Sequence, residues 1–197
     1  MNETNIIEIN GREQNTVSPE NLDFILNLHL PRWNELPGID LYMDQLIGYI
    51  DSAIGDLFRK IDTPPLTKSM VNNYVKAKII QAPTNKKYSK LAVASAMVVC
   101  ILKSSYSVDE IGTLIRMGIG LNAIPTTYDR FCEAIESALR EAFLGEIALK
   151  ETFEAGRENK YLMVNFALSF ACKYYAQLNF LHPQKNDKDQ LENKKHK

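Results

Sequence analysis

Lys68, Ser69, Asn72, Asn73 and Lys76 fall at i, i+1, i+4, i+5 and i+8, a spacing that gathers side chains on one face of a helix. That face carries two amides, a hydroxyl, two ammonium groups and no acid. Asparagine can bond in a bidentate way to the major-groove edge of adenine, serine is adaptable, and lysine pairs with phosphate or guanine. The set suits a helix that reads duplex DNA. The competing reading is the solvated side of an ordinary amphipathic helix, with Met70, Val71, Tyr74, Val75 and Ile79 on its inner side. Two adjacent asparagines favour the first reading, because asparagine is a poor helix former and a merely solvated face more often uses Glu, Gln or Arg.

The charge around this segment points the same way. Between Asp62 and Asp109 there is no carboxylate, while Lys68, Lys76, Lys78, Lys86, Lys87, Lys90 and Lys103 make the stretch net +7. The whole chain carries only -1, which leaves -8 for the remainder. A basic patch on an otherwise acidic molecule suits phosphate binding, and it equally suits a lysine-coated structural helix.

The elements that must position these groups are almost all helical. Ser18-Pro19-Glu20 gives an N-cap with proline at the first helical position, followed by a stripe of Leu22, Ile25, Leu26 and Leu28. His29 sits where it could end that helix. Pro31 and Pro37 around Trp33 predict a loop pinned by the tryptophan. Asp40 is the expected N-cap of a second helix carrying Leu41, Ile47, Ile50, Ile54, Leu57 and Phe58, which Pro64-Pro65 terminates. A short helix is predicted over Thr67 to Ile80, then a polar turn or small wing over Gln81 to Lys87. Ser89 to Lys103, apolar on nearly all sides, is the expected buried central helix.

Ser107-Val108-Asp109-Glu110 forms a capping box that starts the next helix, with Gly118, Gly120, Asn122 and Pro125 marking its end. Two longer helices follow, Tyr128 to about Lys150, with a seam of Phe131, Ile135, Ala138, Ala142 and Leu149, and Arg157 to Phe180. The polar residues 1–17 and the charged tail 183–197 are expected to be disordered. The organisation expected is all-α, with a helix-turn-helix DNA-binding domain and its N-terminal helices over 18–125 and a helical dimerisation region over 126–182.

The strings Asp40-Leu41-Tyr42-Met43-Asp44-Gln45, Leu66-Thr67-Lys68-Ser69-Met70-Val71-Asn72-Asn73-Tyr74-Val75-Lys76 and Lys86-Lys87-Tyr88-Ser89 resemble a bacterial family catalogued only as domain of unknown function 1836, over about Ile39 to Ile115. The order of helix, proline-containing turn, basic residues with tyrosine, long helix and capped helix is similar to the winged helix-turn-helix of the MerR family. The resemblance implies a MerR-like fold in which Thr67, Lys68, Asn72, Asn73 and Lys76 face the major groove and Lys86 and Lys87 in the wing lie against the backbone, with Tyr74 and Tyr88 packing inside. Ser69, Lys78 and Asn85 complete the expected DNA-binding set. Two departures stand out. The module has no arginine, so its base code should be modest and its affinity should rest on phosphates. The segment from Asp40 to Leu66 is also longer than a compact MerR first helix and turn.

Other chemistries find little purchase. No Gly-rich phosphate loop or nucleophile elbow occurs, and His29, His182 and His196 are too scattered for a triad or a metal site. Cys100, Cys132 and Cys172 share no ligand spacing and read as buried free thiols in a reducing cytoplasm. The longest apolar run, Leu91 to Leu102, is too short for a membrane span. The expectation is a cytoplasmic, dimeric, sequence-specific transcription regulator acting on double-stranded DNA as a repressor, with no catalytic residues, no metal and no cofactor. An adaptor that binds protein through the same scaffold is the alternative. Tyr161, Phe166, Phe170, Tyr174, Tyr175 and Cys172 could line an effector pocket, form core, or make a dimer seam.

Overall fold

The computed structural model describes residues 17–63, 66–121, 123–145 and 158–181. Helix α1 (Pro19–Leu26) begins as its sequence requires, with the Ser18 hydroxyl accepting from the Asn21 amide at 3.2 Å. It is shorter than the apolar stripe suggested. Asn27 caps its C-terminus, so His29 lies beyond the helix and instead meets the Glu35 carboxylate at 2.9 Å.

A 3-10 turn (Trp33–Glu35) follows. The Trp33 amide donates to Asp129 at 2.6 Å, and the indole meets Tyr128 edge-on, which anchors the proline-rich loop as expected.

Asp40 does not cap the next helix. Leu41–Tyr42 forms a short strand, β1, and α2 (Met43–Arg59) starts after it, with the Gln45 side chain accepting from the Tyr42 amide at 2.9 Å. The strand exists because β1 pairs antiparallel with β2 (Lys87–Tyr88), Leu41 opposite Tyr88 and Tyr42 opposite Lys87. Helix α2 buries Leu46, Ile50, Ile54, Leu57 and Phe58.

Helix α3 (Lys68–Lys76) is shorter than the segment 67–80 expected for it. Lys78 turns left-handed at φ 57°, and the Ile79 and Lys78 amides reach back to the carbonyls of Tyr74 and Val75. This is a Schellman stop, a position where glycine is the usual choice. Tyr74 and Ile79 are both buried and close the motif with the apolar contact it favours.

Helix α4 (Lys90–Leu102) is capped by the Ser89 hydroxyl and buries ten of its residues, which makes it the central helix. Helix α5 (Val108–Leu121) opens with the expected capping box: the Ser107 amide donates to Glu110 at 2.7 Å and the Glu110 amide to the Ser107 hydroxyl at 3.4 Å. Gly118 and Gly120 do not end this helix. A Cβ on Gly118 would lie 3.2 Å from the Thr127 methyl, so the glycine lets α6 (Ile124–Leu144) approach closely. Gly145, left-handed at φ 70°, ends α6. Ile135, Ala138 and Ala142 are buried on its seam, Phe131 is half-buried, and Leu149 lies outside the described residues.

Helix α7 (Glu158–Ala176) packs along α6 and continues as a π-helical turn, Gln177–Leu181. Phe170 and Tyr174 are buried, and the Tyr174 hydroxyl donates to the Leu57 carbonyl at 2.8 Å, which ties α7 to the end of α2. The same burial holds the Tyr174 phenol well above its ordinary pKa. Most of the segment 1–17 and all of the tail 183–197 fall outside the described residues.

One core cluster runs through all seven helices. Its polar tie is Glu136 on α6, whose side chain is only 6% exposed. It accepts from the Leu30 amide at 2.7 Å and from both terminal nitrogens of Arg32, at 2.8 and 2.7 Å. Cys100 and Cys132 are buried, and burial pushes each thiol up to about 12. Cys172 is exposed, a correction to the expectation of three buried thiols: α7 buries Phe170, Ala171 and Tyr174 instead. Among the described residues, no helix is long and apolar enough to cross a membrane.

Candidate nucleic-acid interface

Every residue expected on the outer face of α3 is exposed: Lys68, Ser69, Asn72, Asn73 and Lys76. On the inner side Val71 and Tyr74 are buried, with Met70 and Val75 half-buried. The helix is thus held by one face and leaves the other open. The side chains of Asn72, Asn73 and Lys76 make no hydrogen bond or ion pair among the described residues. Thr67 is exposed and serves as N-cap, its hydroxyl accepting from the Met70 amide at 3.2 Å. The cap satisfies one of the amides that a helix start leaves without an intrahelical acceptor.

The wing is a tight hairpin. Thr84 and Lys87 exchange both backbone hydrogen bonds, at 2.9 and 3.0 Å, around Asn85 and Lys86, which have φ of 50° and 65°. Two consecutive left-handed residues match a type I′ turn, whose twist fits a hairpin and whose usual sequence is Asn-Gly. Here lysine occupies the glycine position, so Lys86 is exposed at the tip. Tyr88, next to the wing, is buried, as expected for a packing residue.

Pairing of β1 with β2 links the wing to the start of α3. The Lys87 ammonium lies 5.1 Å from the centroid of the Tyr42 ring. Two residues on, the Asp44 carboxylate meets Lys68 at 2.6 Å. Residues 42–44 therefore touch both the wing and the start of α3. Tyr42 and Asp44 lie in a string that carries the family resemblance but are not among the DNA-binding residues expected from sequence. The signal was present only in long range, since the contacts depend on a strand pair that joins positions 41–42 to 87–88. Both members of the Asp44–Lys68 pair are well exposed, so it adds little stability and can yield to a phosphate.

The seven-lysine stretch divides in two. Lys68, Lys76, Lys78 and Lys86 are exposed on α3, its stop and the wing, and Lys87 flanks them. Lys90 instead stacks 5.4 Å from the Trp33 ring, and Lys103 lies 5.4 Å from the Phe58 ring, where burial lowers its pKa. Those two serve the fold.

Three non-glycine residues in left-handed backbone, Lys78, Asn85 and Lys86, border the exposed face. A side chain in that conformation costs about 1–2 kcal/mol, which glycine avoids at a smaller entropic cost. Lys78→Gly is therefore expected to leave the urea midpoint unchanged or to raise stability by up to about 1 kcal/mol, whereas Lys78→Ala should not stabilise. Equilibrium urea unfolding of the two variants checks this.

The family described as "Domain of unknown function (DUF1836)" matches residues 31–131, just over half of the chain. No curated protein and no solved structure matches it. The matched span runs from the loop that Trp33 anchors to the first turns of α6, and so contains the whole exposed face and its supports.

Proposed function

Since the chain belongs to the DUF1836 family, a domain of unknown function, its activity must be argued from its own surface, and we propose that it is a sequence-specific double-stranded DNA-binding transcription regulator. The observation that carries this reading is the outer face of α3: two unengaged asparagines, a serine and lysines, with a lysine-tipped hairpin joined to the start of the helix through residues 42–44. In the reading, α2 and α3 form a MerR-like winged helix-turn-helix in which α3 enters the major groove and Lys86 and Lys87 lie along the backbone. Asn72 and Asn73 read base edges, and the lysines supply position and affinity. Lys68 exchanges Asp44 for phosphate on binding.

A single module of this size buries too little for useful specificity, so the regulator acts as a homodimer on two half-sites. Exposed Leu144 and Val164, 46% and 40% accessible on α6 and α7, support a subunit contact through the C-terminal helices. A regulator of this kind works in the cytoplasm, and bound DNA makes repression by occlusion its simplest output. The reading assigns no catalytic role to any residue.

Selection of preferred duplexes from a random pool tests the base code. Asn72→Ala and Asn73→Ala should each flatten the preference at the positions they read by about 1–3 kcal/mol, while leaving affinity for unrelated DNA nearly unchanged. If both variants select the parental site, α3 is not the reading helix. If the protein enriches no sequence and co-purifies instead with one protein partner in fixed ratio, the scaffold is an adaptor.

A further inference from the structure

A cavity of about 120 Å³ lies where α4, α5, α6 and α7 meet. It opens to solvent beside Met117, which is 40% exposed, and leaves apolar wall atoms without packing partners. Helix α4 forms the floor through Ala94, Ser95 and Val98. The walls come from Ile115 and Met117 on α5, Phe131 on α6 and Met163 on α7.

No charged residue lines the cavity. Its polar groups are hydroxyls, of which Thr127 is already committed to the Gly118 carbonyl at 3.3 Å. Ser95, 7% exposed, is one of only three buried polar residues in the described chain. An ion placed here would lose its hydration without a counter-charge, whereas a neutral ring would exchange water for carbon on most of its surface. Two lining methionines, Met117 on α5 and Met163 on α7, provide unbranched, polarisable side chains that adapt to an occupant's outline.

We propose that this cavity is a binding site for one small, uncharged, largely apolar molecule of about the size of a single aromatic ring. The comparison that sets the size is a dry apolar cavity of about 150 Å³ that accepts benzene. Its walls join α4 and α5, within the span of the family match, to α7 beyond it, so an occupant spans the two parts of the chain. The site does not depend on the DNA-binding reading, and its test contains no DNA.

Benzene is a suitable probe, titrated into the protein carrying ¹³C-methyl methionine. The chain has six methionines, among them Met117 and Met163 at the cavity and Met43 and Met70 on α2 and α3. Saturable shifts of the Met117 and Met163 methyls, with Met43 and Met70 unmoved, are expected. Ala94→Phe, which fills the floor, should abolish those shifts, with folding checked by circular dichroism; Val98→Phe serves if Ala94→Phe fails to fold. The proposal is overturned by the absence of a saturable shift, by equal shifts at all four methionines, by shifts that survive in a folded filled variant, or by equally tight binding of benzenesulfonate.

Discussion

Glu136→Ala should lower the stability of the protein by about 3–5 kcal/mol, the usual loss when one member of a buried ion pair is removed and the other is left unpaired. The carboxylate satisfies the Leu30 amide and both arms of the Arg32 guanidinium while only 6% exposed. Truncation strands a cation and a backbone donor together beneath the loop that holds Trp33. Urea unfolding at neutral pH measures the loss, and a change under about 1 kcal/mol would mean that the pair is more solvated than its burial shows. The pair also fixes a pH dependence. Burial alone would raise the Glu136 carboxyl, but hydrogen bonds from Arg32 and the Leu30 amide outweigh it and hold the group below its ordinary value. A group whose folded pKa is depressed stabilises above its unfolded pKa and loses that contribution as pH falls through the folded value. The parent should therefore lose stability on acidification below about pH 4.5, and Glu136→Gln should flatten that part of the profile.

The second large effect is on binding. Replacing Lys86 and Lys87 together by alanine should lower affinity for every duplex sequence by about 10- to 100-fold near 0.1 M salt, since each lost phosphate contact removes about one released counterion. The slope of log K against log salt should shrink by about 2. Lys86 is at the hairpin tip and Lys87 packs over exposed Tyr42, so neither side chain supports the core and the variant should fold normally. A loss confined to one preferred sequence would instead make these lysines base readers. Fluorescence anisotropy with matched specific and random duplexes separates the two.

Local signals in the sequence found two of the helix starts. Ser18 before Pro19 and Ser107 with Glu110 each specify a cap within four residues, and each caps its helix here, whereas α6 starts at Ile124, with Pro125 in its first turn, rather than at Tyr128. The polar face of α3 was legible for the same reason, since it depends only on the helical period. Features made by distant partners were not. Asp40 resembles an N-cap, yet β1 displaces the helix start to Met43, because residues 41–42 find hydrogen-bonding partners in residues 87–88. Gly118 looks like a helix end until α6 is seen to pass over it. Lys78 carries no glycine-like signal, but Tyr74 and Ile79 bury together only if the chain turns left-handed between them. Asp44 met Lys68 unannounced, through the same strand pairing that sets the wing beside α3. The length of the segment from Asp40 to Leu66 also has its explanation, in an α2 of 17 residues followed by a turn.

The most direct test of the central reading is a salt titration of the intact protein against duplex DNA. Five lysines, Lys68, Lys76, Lys78, Lys86 and Lys87, stand on or beside the proposed face. Binding should be saturable at low salt, and log K should fall linearly with log salt with a slope of about -4 per protomer. Absence of binding at low salt, or binding whose affinity does not change with salt, would contradict the assignment of this surface to DNA.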